Sequence, residues 1–313
     1  MDISFIFQYV NSLLMTNSPH TLSGNRLLCL EFIMKKILLS ALLSSMIVSS
    51  SAMAGTLLVG TDAGLAPFEF KDPKTNEIVG FDIDLINAIA KAVGDEAKIQ
   101  NMQFAGLIPA LQSNMVDVGA AAITITPERQ KQVLFTDPYY DVGLVMVIQK
   151  KNADKFKTLK DMKGKRICAQ IGSTGSILAS TVKNATVANF DQIGEAFMEL
   201  KMNGCDSVMV DKTVTLYYLT KHNDEDIMMV PHVYNPKQNG FAVAKNNKAL
   251  LEKLNKGLKV IKENGEYDKI YEKWLGKFII CSSLTIFFPI RIKILNLSLS
   301  LQRYFKLLIY IVL

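Results

Sequence analysis

Apolar positions between residues 55 and 276 follow two alternating periods. Thr56–Gly60 is a short apolar run of strand length, closed by Thr61-Asp62. Ile86, Ile89, Ala90 and Val93 then recur at helical spacing. Asp82 and Asp84 sit near the start of that helix, where acidic groups suit the positive end of its dipole. Ile99–Phe104 reads as a strand, and Leu107 to Leu111 as a short helix with Pro109 in its first turn. Val116–Ala122, apolar but for Asp117, reads as a strand covered on both faces.

The pattern restarts after the apolar run Asp141–Gln149. Arg166–Gln170, Val187–Phe190 and Ser207–Val210 read as strands. Thr174–Lys183, the segment carrying Ile193, Phe197 and Leu200, and the stretch from Asp211 through Lys221 read as helices. Gly240–Ala244 is a further strand. Two final helices carry Leu251, Leu254, Leu258 and Ile261, then Tyr267, Ile270, Tyr271 and Trp274, with a stop at Asn264-Gly265. Strand–helix alternation at these lengths, run through twice, predicts an α/β fold with two lobes, each a mostly parallel sheet flanked by helices.

Charge changes the picture at the ends. The chain of 313 residues carries a formal +6. Residues 277–313 contribute Lys277, Arg291, Lys293, Arg303 and Lys306 with no acid, and residues 1–54 contribute Arg26, Lys35 and Lys36 against Asp2 and Glu31. Residues 55–276 are therefore neutral, and the excess gives no reason to expect nucleic acid as a partner. From Met34, a basic pair, the apolar stretch Ile37–Val48 and Ala52-Met53-Ala54 form a signal-peptide pattern over 34–54, with cleavage expected after Ala54. The apolar stretch is shorter than a membrane span needs. The tail 277–313 contains no Ala, Gly, Asp or Glu. It and residues 1–33 are expected to be spurious translated flanks, with a disordered or membrane tail as the other reading of 277–313. Cys29 and Cys281 fall in those flanks. Cys168 and Cys205 remain, either as a disulfide in an exported protein or as two buried thiols. No CxxC or Cys/His cluster points to zinc.

In open α/β sheets ligands sit beyond the carboxyl ends of strands. Those ends bring Asp62, Phe104, Thr124, Arg129, Gln170, a Gly-Ser-Thr-Gly helix start at residues 172–175, and Asp211. One cation, two carboxylates, hydroxyls and an aromatic suit a zwitterion. Each has a plainer reading. Arg129 can be a surface residue, Asp211 a helix cap, Phe104 a core aromatic, and Asp62 a turn former. Gly172-Ser173-Thr174-Gly175 lacks the Lys-Ser/Thr ending of a phosphate loop. His222 and His232 read as surface residues.

Taken in order, Asp62-Ala63-Gly64-Leu65-Ala66-Pro67-Phe68-Glu69-Phe70, Val79-Gly80-Phe81-Asp82-Ile83-Asp84-Leu85, Ile123-Thr124-Ile125-Thr126-Pro127-Glu128-Arg129, Phe135-Thr136-Asp137-Pro138-Tyr139-Tyr140, Gly172-Ser173-Thr174-Gly175 and Asn264-Gly265-Glu266-Tyr267 resemble the periplasmic amino-acid-binding proteins of ABC importers, solute-binding protein family 3. The likeness covers nearly all of 55–276. It is similar in particular to glutamine-binding and to lysine/arginine/ornithine- or histidine-binding proteins. The resemblance implies a periplasmic-binding-protein-like fold, with lobe 1 at 55–144 and 238–276, lobe 2 at 145–237, and two crossover strands between them. A ligand would be trapped by hinge closure. By position, Arg129 would hold the ligand α-carboxylate through its guanidinium fork. The Thr124 N–H and the helix start at Thr174 and Gly175 would assist. Asp211, the Thr124 hydroxyl and the Ala122 carbonyl would hold the α-ammonium, and Phe104 would pack on the side chain.

Leu65 stands where relatives often carry an aromatic. A glutamine binder has a Lys before its Gly-Thr-Gly turn and a His before the ammonium-binding Asp. Ile171 (or Gln170, depending on the gap) and Val210 stand there instead. Asp62 could bind a polar or basic side chain, and Gln170 could add an amide. The resemblance also makes a Cys168–Cys205 bridge plausible on neighbouring lobe-2 strands. The expectation is therefore a non-enzymatic, monomeric periplasmic receptor for a polar L-amino acid. It would serve a membrane ABC permease, with no cofactor, metal or nucleic acid. An exported enzyme on the same fold, similar to cyclohexadienyl dehydratase, is the alternative. This enzyme reading, and that of a murein-cleaving enzyme, is disfavoured by the lack of a nucleophile–base pair and of a following catalytic domain, and a sensor ectodomain by the lack of a kinase segment or a convincing membrane span.

Overall fold

The structure, a computed structural model, describes residues 55–276. The expected extension 1–33, signal peptide 34–54, tail 277–313, Cys29 and Cys281 lie outside the described residues. The chain begins with β1 (Gly55–Thr61), β2 (Gly64–Leu65), β3 (Glu69–Lys71) and β4 (Ile78–Val79), then α1 (Phe81–Ala92), β5 (Asp95–Asn101) and α2 (Phe104–Gln112). β6 (Val118–Gly119), α3 (Pro127–Gln130), β7 (Val133–Phe135) and the long β8 (Tyr140–Gln149) follow. Next come β9 (Arg166–Gln170), α4 (Thr174–Ser180), β10 (Thr186–Phe190), α5 (Ile193–Lys201), β11 (Ser207–Asp211) and α6 (Lys212–His222). The described part closes with β12 (Ile227–Met229), β13 (Tyr234–Asn239), β14 (Ala242–Ala244), α7 (Lys248–Glu263) and α8 (Glu266–Tyr271).

Two main sheets result. The first has the order β5-β1-β6-β14-β7, and the second β10-β9-β11-β8-β12 with β13 also on β8. Each has a parallel half, β5-β1-β6 and β10-β9-β11, continued by antiparallel strands. The sheets are thus mixed, because the strands that carry the chain from one sheet to the other enter against the parallel direction. β7 leads into β8 on the way out and β13 into β14 on the way back. The two crossing segments pair antiparallel, with Lys237, Gln238 and Asn239 opposite Val142, Asp141 and Tyr140.

The unbroken apolar run of β8 serves two cores. Leu144, Met146 and Ile148 pack with Ile167, Ala179 and Met209 on one face, while Val145 and Val147 pack with Cys168, Phe197 and Val208 on the other. Period-two alternation sends neighbouring side chains to opposite faces. Both faces are covered, α4 lying on one and α5 on the other, so no polar position interrupts the run. The structure joins Cys168 to Cys205 as a disulfide with Cα atoms 6.1 Å apart. Cys205 lies two residues before β11, beside the strand that carries Cys168.

Four expectations are corrected. The strand read over Ile99–Phe104 ends at Asn101, because its ladder with β1 stops at Thr61↔Asn101. Phe104 instead opens α2, and Pro109 stands inside that helix rather than in its first turn. The apolar run Val116–Ala122 forms a ladder only over Val118–Gly119, and Ala122 takes a left-handed backbone at φ 45°. The apolar character there reports burial, not extension. The helix read through Lys183 stops at Ser180. Among the described residues no helix is long and apolar enough to cross a membrane.

Candidate functional site

The carboxyl ends of both parallel halves converge on one small cavity lined from both sheets. Nine of the ten expected binding residues line it. Leu65, Phe104, Ala122, Thr124 and Arg129 come from the first-sheet side. Gln170, Thr174, Gly175 and Asp211 come from the second-sheet side. Asp62 does not line the cavity. It lies behind Gln170, with both carboxylate oxygens engaged.

Arg129 reaches the cavity because Thr126 caps the short helix α3, its hydroxyl accepting from the Arg129 N–H. Arg129 is 7% exposed. Nη1 donates to the Thr124 carbonyl (2.8 Å) and Nη2 to the Gly172 carbonyl (3.1 Å), so the guanidinium is fixed from both sheets. It also stands 5.2 Å from the centre of the Phe104 ring. Two of its five N–H donors are used, which leaves donors for an incoming carboxylate. Burial lowers its pKa to about 10, partly offset by the negative charge of Asp211; it stays a cation.

Asp211 ends β11 and occupies the N-cap position of α6, but its side chain makes no capping bond. Oδ1 is enclosed and has no hydrogen-bond partner. Burial raises its pKa to about 7, partly offset by Arg129. Arg129 and Asp211 thus feel each other across the cavity, yet no ion pair joins them among the described residues. An unmatched anion is costly in an enclosed site. The gap between the two charges suits a molecule that carries both.

Backbone donors complete the arrangement. Thr174 and Gly175 are first-turn residues of α4, whose N–H groups lack intrahelical acceptors. Gly175 allows this helix start to lie against β11, since a Cβ there would overlap the Met209 carbonyl.

Asp82 stands in the first turn of α1, as its spacing predicts, and the structure gives it a further role. Asp82 is fully buried, and its Oδ2 accepts from the Ala122 N–H (2.8 Å) and the Tyr139 hydroxyl (2.6 Å). It thereby ties α1 to the left-handed turn at Ala122 and to the entry of the crossing strand β8. Gln192 was also missed. Its amide donates to Asp62 across the cavity mouth, and no local pattern marks it.

Four acids are held above their ordinary range, Asp62 being one of them. Burial is the main cause for each: for Glu69, helped by the charges of Asp82, Asp62 and Asp211, and for Asp82 and Asp211, which reach about 7. Neither Glu69 oxygen has a partner. Raised folded-state values mean that the native state holds more protons than the unfolded one. The stabilising contribution is complete below about pH 4 and is lost as pH rises toward about 7, at up to ~1.4 kcal/mol per pH unit per group. The ligand-free protein should therefore melt at a lower temperature at pH 8 than at pH 5.5, with Glu69→Gln flattening the slope. Scanning calorimetry showing the reverse slope would contradict these assignments.

Residues 57–277 match the family of bacterial extracellular solute-binding proteins, family 3. The chain belongs to that family. This family-3 protein is 39% identical over 246 residues to the ABC transporter arginine-binding protein 1 of Escherichia coli (strain K12), covering 77% of this chain and 99% of the relative. Among solved structures, an ancestral arginine-binding protein bound to arginine superposes with a TM-score of 0.68 at 46% identity, covering 71% of this chain and 99% of the other. An ancestral amino-acid-binding protein described as a precursor of cyclohexadienyl dehydratase gives 0.65 at 38% identity, covering 70% and 95%.

Proposed function

We propose that this family-3 protein is a periplasmic receptor that traps a polar L-amino acid between its two lobes and delivers it to the membrane permease of an ABC importer. The observation that carries the reading is the pair Arg129 and Asp211, opposed across one cavity and not neutralising each other. Arg129, with the N–H groups of Thr124, Thr174 and Gly175, takes the α-carboxylate. Asp211, the Thr124 hydroxyl and the Ala122 carbonyl take the α-ammonium. Phe104 and Leu65 flank the side chain. Residues 55–144 with 238–276, and 145–237, act as the closing lobes, hinged where β8 pairs with β13. The names of the relatives support amino acids as the ligand class.

A binding role is favoured over an enzymatic one by the cavity lining. Among the described residues it holds no His, Cys or Lys, and Asp211 is its one carboxylate. Export by the segment 34–54 with cleavage after Ala54, action as a monomer, and independence of cofactor and nucleic acid belong to the same reading. A thermal-shift screen of the purified protein against the twenty L-amino acids tests it. At least one should raise Tm by several degrees, as expected from linkage to a tight ligand. A flat response to all twenty would overturn the proposal.

A further inference from the structure

We infer that the exposed lysines between β8 and β9, joined by Lys183, form a basic face that holds the protein against anionic lipid headgroups. This takes from the reading above only that the protein works beside a membrane, and it does not depend on which ligand the cavity binds. Residues 55–276 are neutral as a whole, yet residues 150–166 carry eight lysines and arginines against Asp154 and Asp161. The remaining described residues hold the matching excess of acids. Such a concentration of one sign sets up a local field that the net charge conceals.

The segment is held so that its lysines stay in solvent. Phe156 and Met162 are buried and Leu159 is half-buried, and they pack with Ile167 and Ala179 in the core beneath α4. Spaced three apart, these anchors leave Lys155, Lys157, Lys160 and Lys163 exposed around them. Leu159–Met162 forms a 3₁₀ turn, and the Leu159 N–H donates to the Tyr234 hydroxyl (2.9 Å). Asp161 is turned to the backbone, where its Oδ2 accepts from the N–H groups of Lys157 (2.9 Å) and Thr158 (2.8 Å). Exposed Lys183 stands alongside, its carbonyl accepting from the Gly164 N–H (3.3 Å). None of these five lysines has an ion pair among the described residues, whereas Arg166 is paired with Glu199 (3.6 Å).

The face lies at the amino end of β9, while Gln170 at the carboxyl end of that strand lines the cavity. A surface resting on the lysines therefore leaves the cavity free. What the face lacks defines its partner. A protein interface is centred on desolvated apolar or aromatic anchors, and none of the exposed large apolar residues falls between 150 and 166. Single-stranded nucleic acid is gripped by aromatic rings among the cations, and the one aromatic of the segment, Phe156, is buried. Lysine is a flexible, strongly hydrated point charge without the fork that arginine offers a fixed bidentate partner. Five of them suit a mobile, diffuse sheet of negative charge. An anionic leaflet is such a sheet, and it draws clustered lysines to it across a salt-screened gap.

Co-sedimentation of the purified protein with lipid vesicles tests this. Phosphatidylcholine vesicles with about one-third phosphatidylglycerol should carry the protein down at about 0.05 M salt and release it at about 0.5 M. Vesicles of phosphatidylcholine alone should not carry it down. Changing Lys155, Lys157, Lys160, Lys163 and Lys183 together to Gln should lower the binding roughly tenfold or more. Changing exposed Lys248, Lys256, Lys259, Lys262 and Lys269 on α7 and α8 to Gln removes the same charge elsewhere, and should lower it less than about threefold. The first five changed to Arg keep their charge and should bind like the wild type. All forms share the same chain ends, so the differences report the face alone. Equal binding to both kinds of vesicle, equal losses in the two Gln variants, or binding unmoved in the first of them would overturn the inference. Binding to permease-bearing neutral vesicles through the same lysines, with none to anionic lipid alone, would assign the face to a protein partner and overturn it too. Failure of the thermal-shift screen would instead count against the amino-acid reading, so the two fail separately.

Discussion

Arg129→Ala should abolish most of the amino-acid affinity, by about 2–5 kcal/mol, equivalent to roughly 30-fold to several thousand-fold in Kd. The size follows from where the guanidinium stands. It is enclosed, braced by the Thr124 and Gly172 carbonyls, and backed by the Phe104 ring. A ligand carboxylate would meet a fork already oriented, with little side-chain entropy left to lose. Removing it would also leave the α-carboxylate enclosed without a counter-charge. Arg129→Lys should recover only part of the affinity, because an ammonium cannot reproduce two parallel bonds. Calorimetric titration with the amino acid that gives the largest thermal shift checks both variants. Unchanged affinity in Arg129→Ala would remove Arg129 from the site. Melting curves should meanwhile show a smaller effect of about 1–2 kcal/mol, from the two carbonyls that lose their donor.

Asp211→Asn should weaken binding by a similar 2–5 kcal/mol, yet leave the empty protein as stable or more stable at pH 8. These opposite signs come from one fact. Oδ1 is enclosed with no partner, so the ionised group is a cost to the empty fold and a gain only when a cation arrives. The pH dependence follows. Burial raises the Asp211 pKa to about 7 in the empty protein, and a bound ammonium favours the ionised form. Affinity should be full above about pH 7 and fall up to tenfold per unit below it. The Asn variant should lose that slope. An Asn variant that binds normally, or a wild type whose affinity does not change between pH 5.5 and 8, would show that Asp211 does not face the ammonium.

Much of this arrangement was legible in the sequence for a physical reason. Strand ends are marked locally by the switch from apolar to polar residues, and ligand groups in parallel α/β sheets collect there. Phe104, Thr124, Arg129, Gln170 and Asp211 were found in this way, with Leu65 and Ala122 added by family likeness, and all of them line the cavity. The same local logic misled where burial imitates extension. The run Val116–Ala122 is apolar but for Asp117 because it is buried, yet its ladder is two residues long. Asp82 looked like a helix-end acid because its position in α1 fits that role as well. Only its distant partners, Ala122 and Tyr139, reveal another.

By itself, the sequence determined the order of strands and helices, the neutral middle segment, and the side chains available at the strand ends. These depend on periodicity, composition and neighbours within a few residues. The tertiary structure decided which of those groups face one another. It set Arg129 opposite Asp211 without pairing them, turned Ala122 left-handed over a buried Asp82, and brought Gln192 to Asp62 across 130 residues of chain. Such contacts follow from the requirement that enclosed polar groups find partners. That requirement is met in space, between elements whose approach no local pattern records.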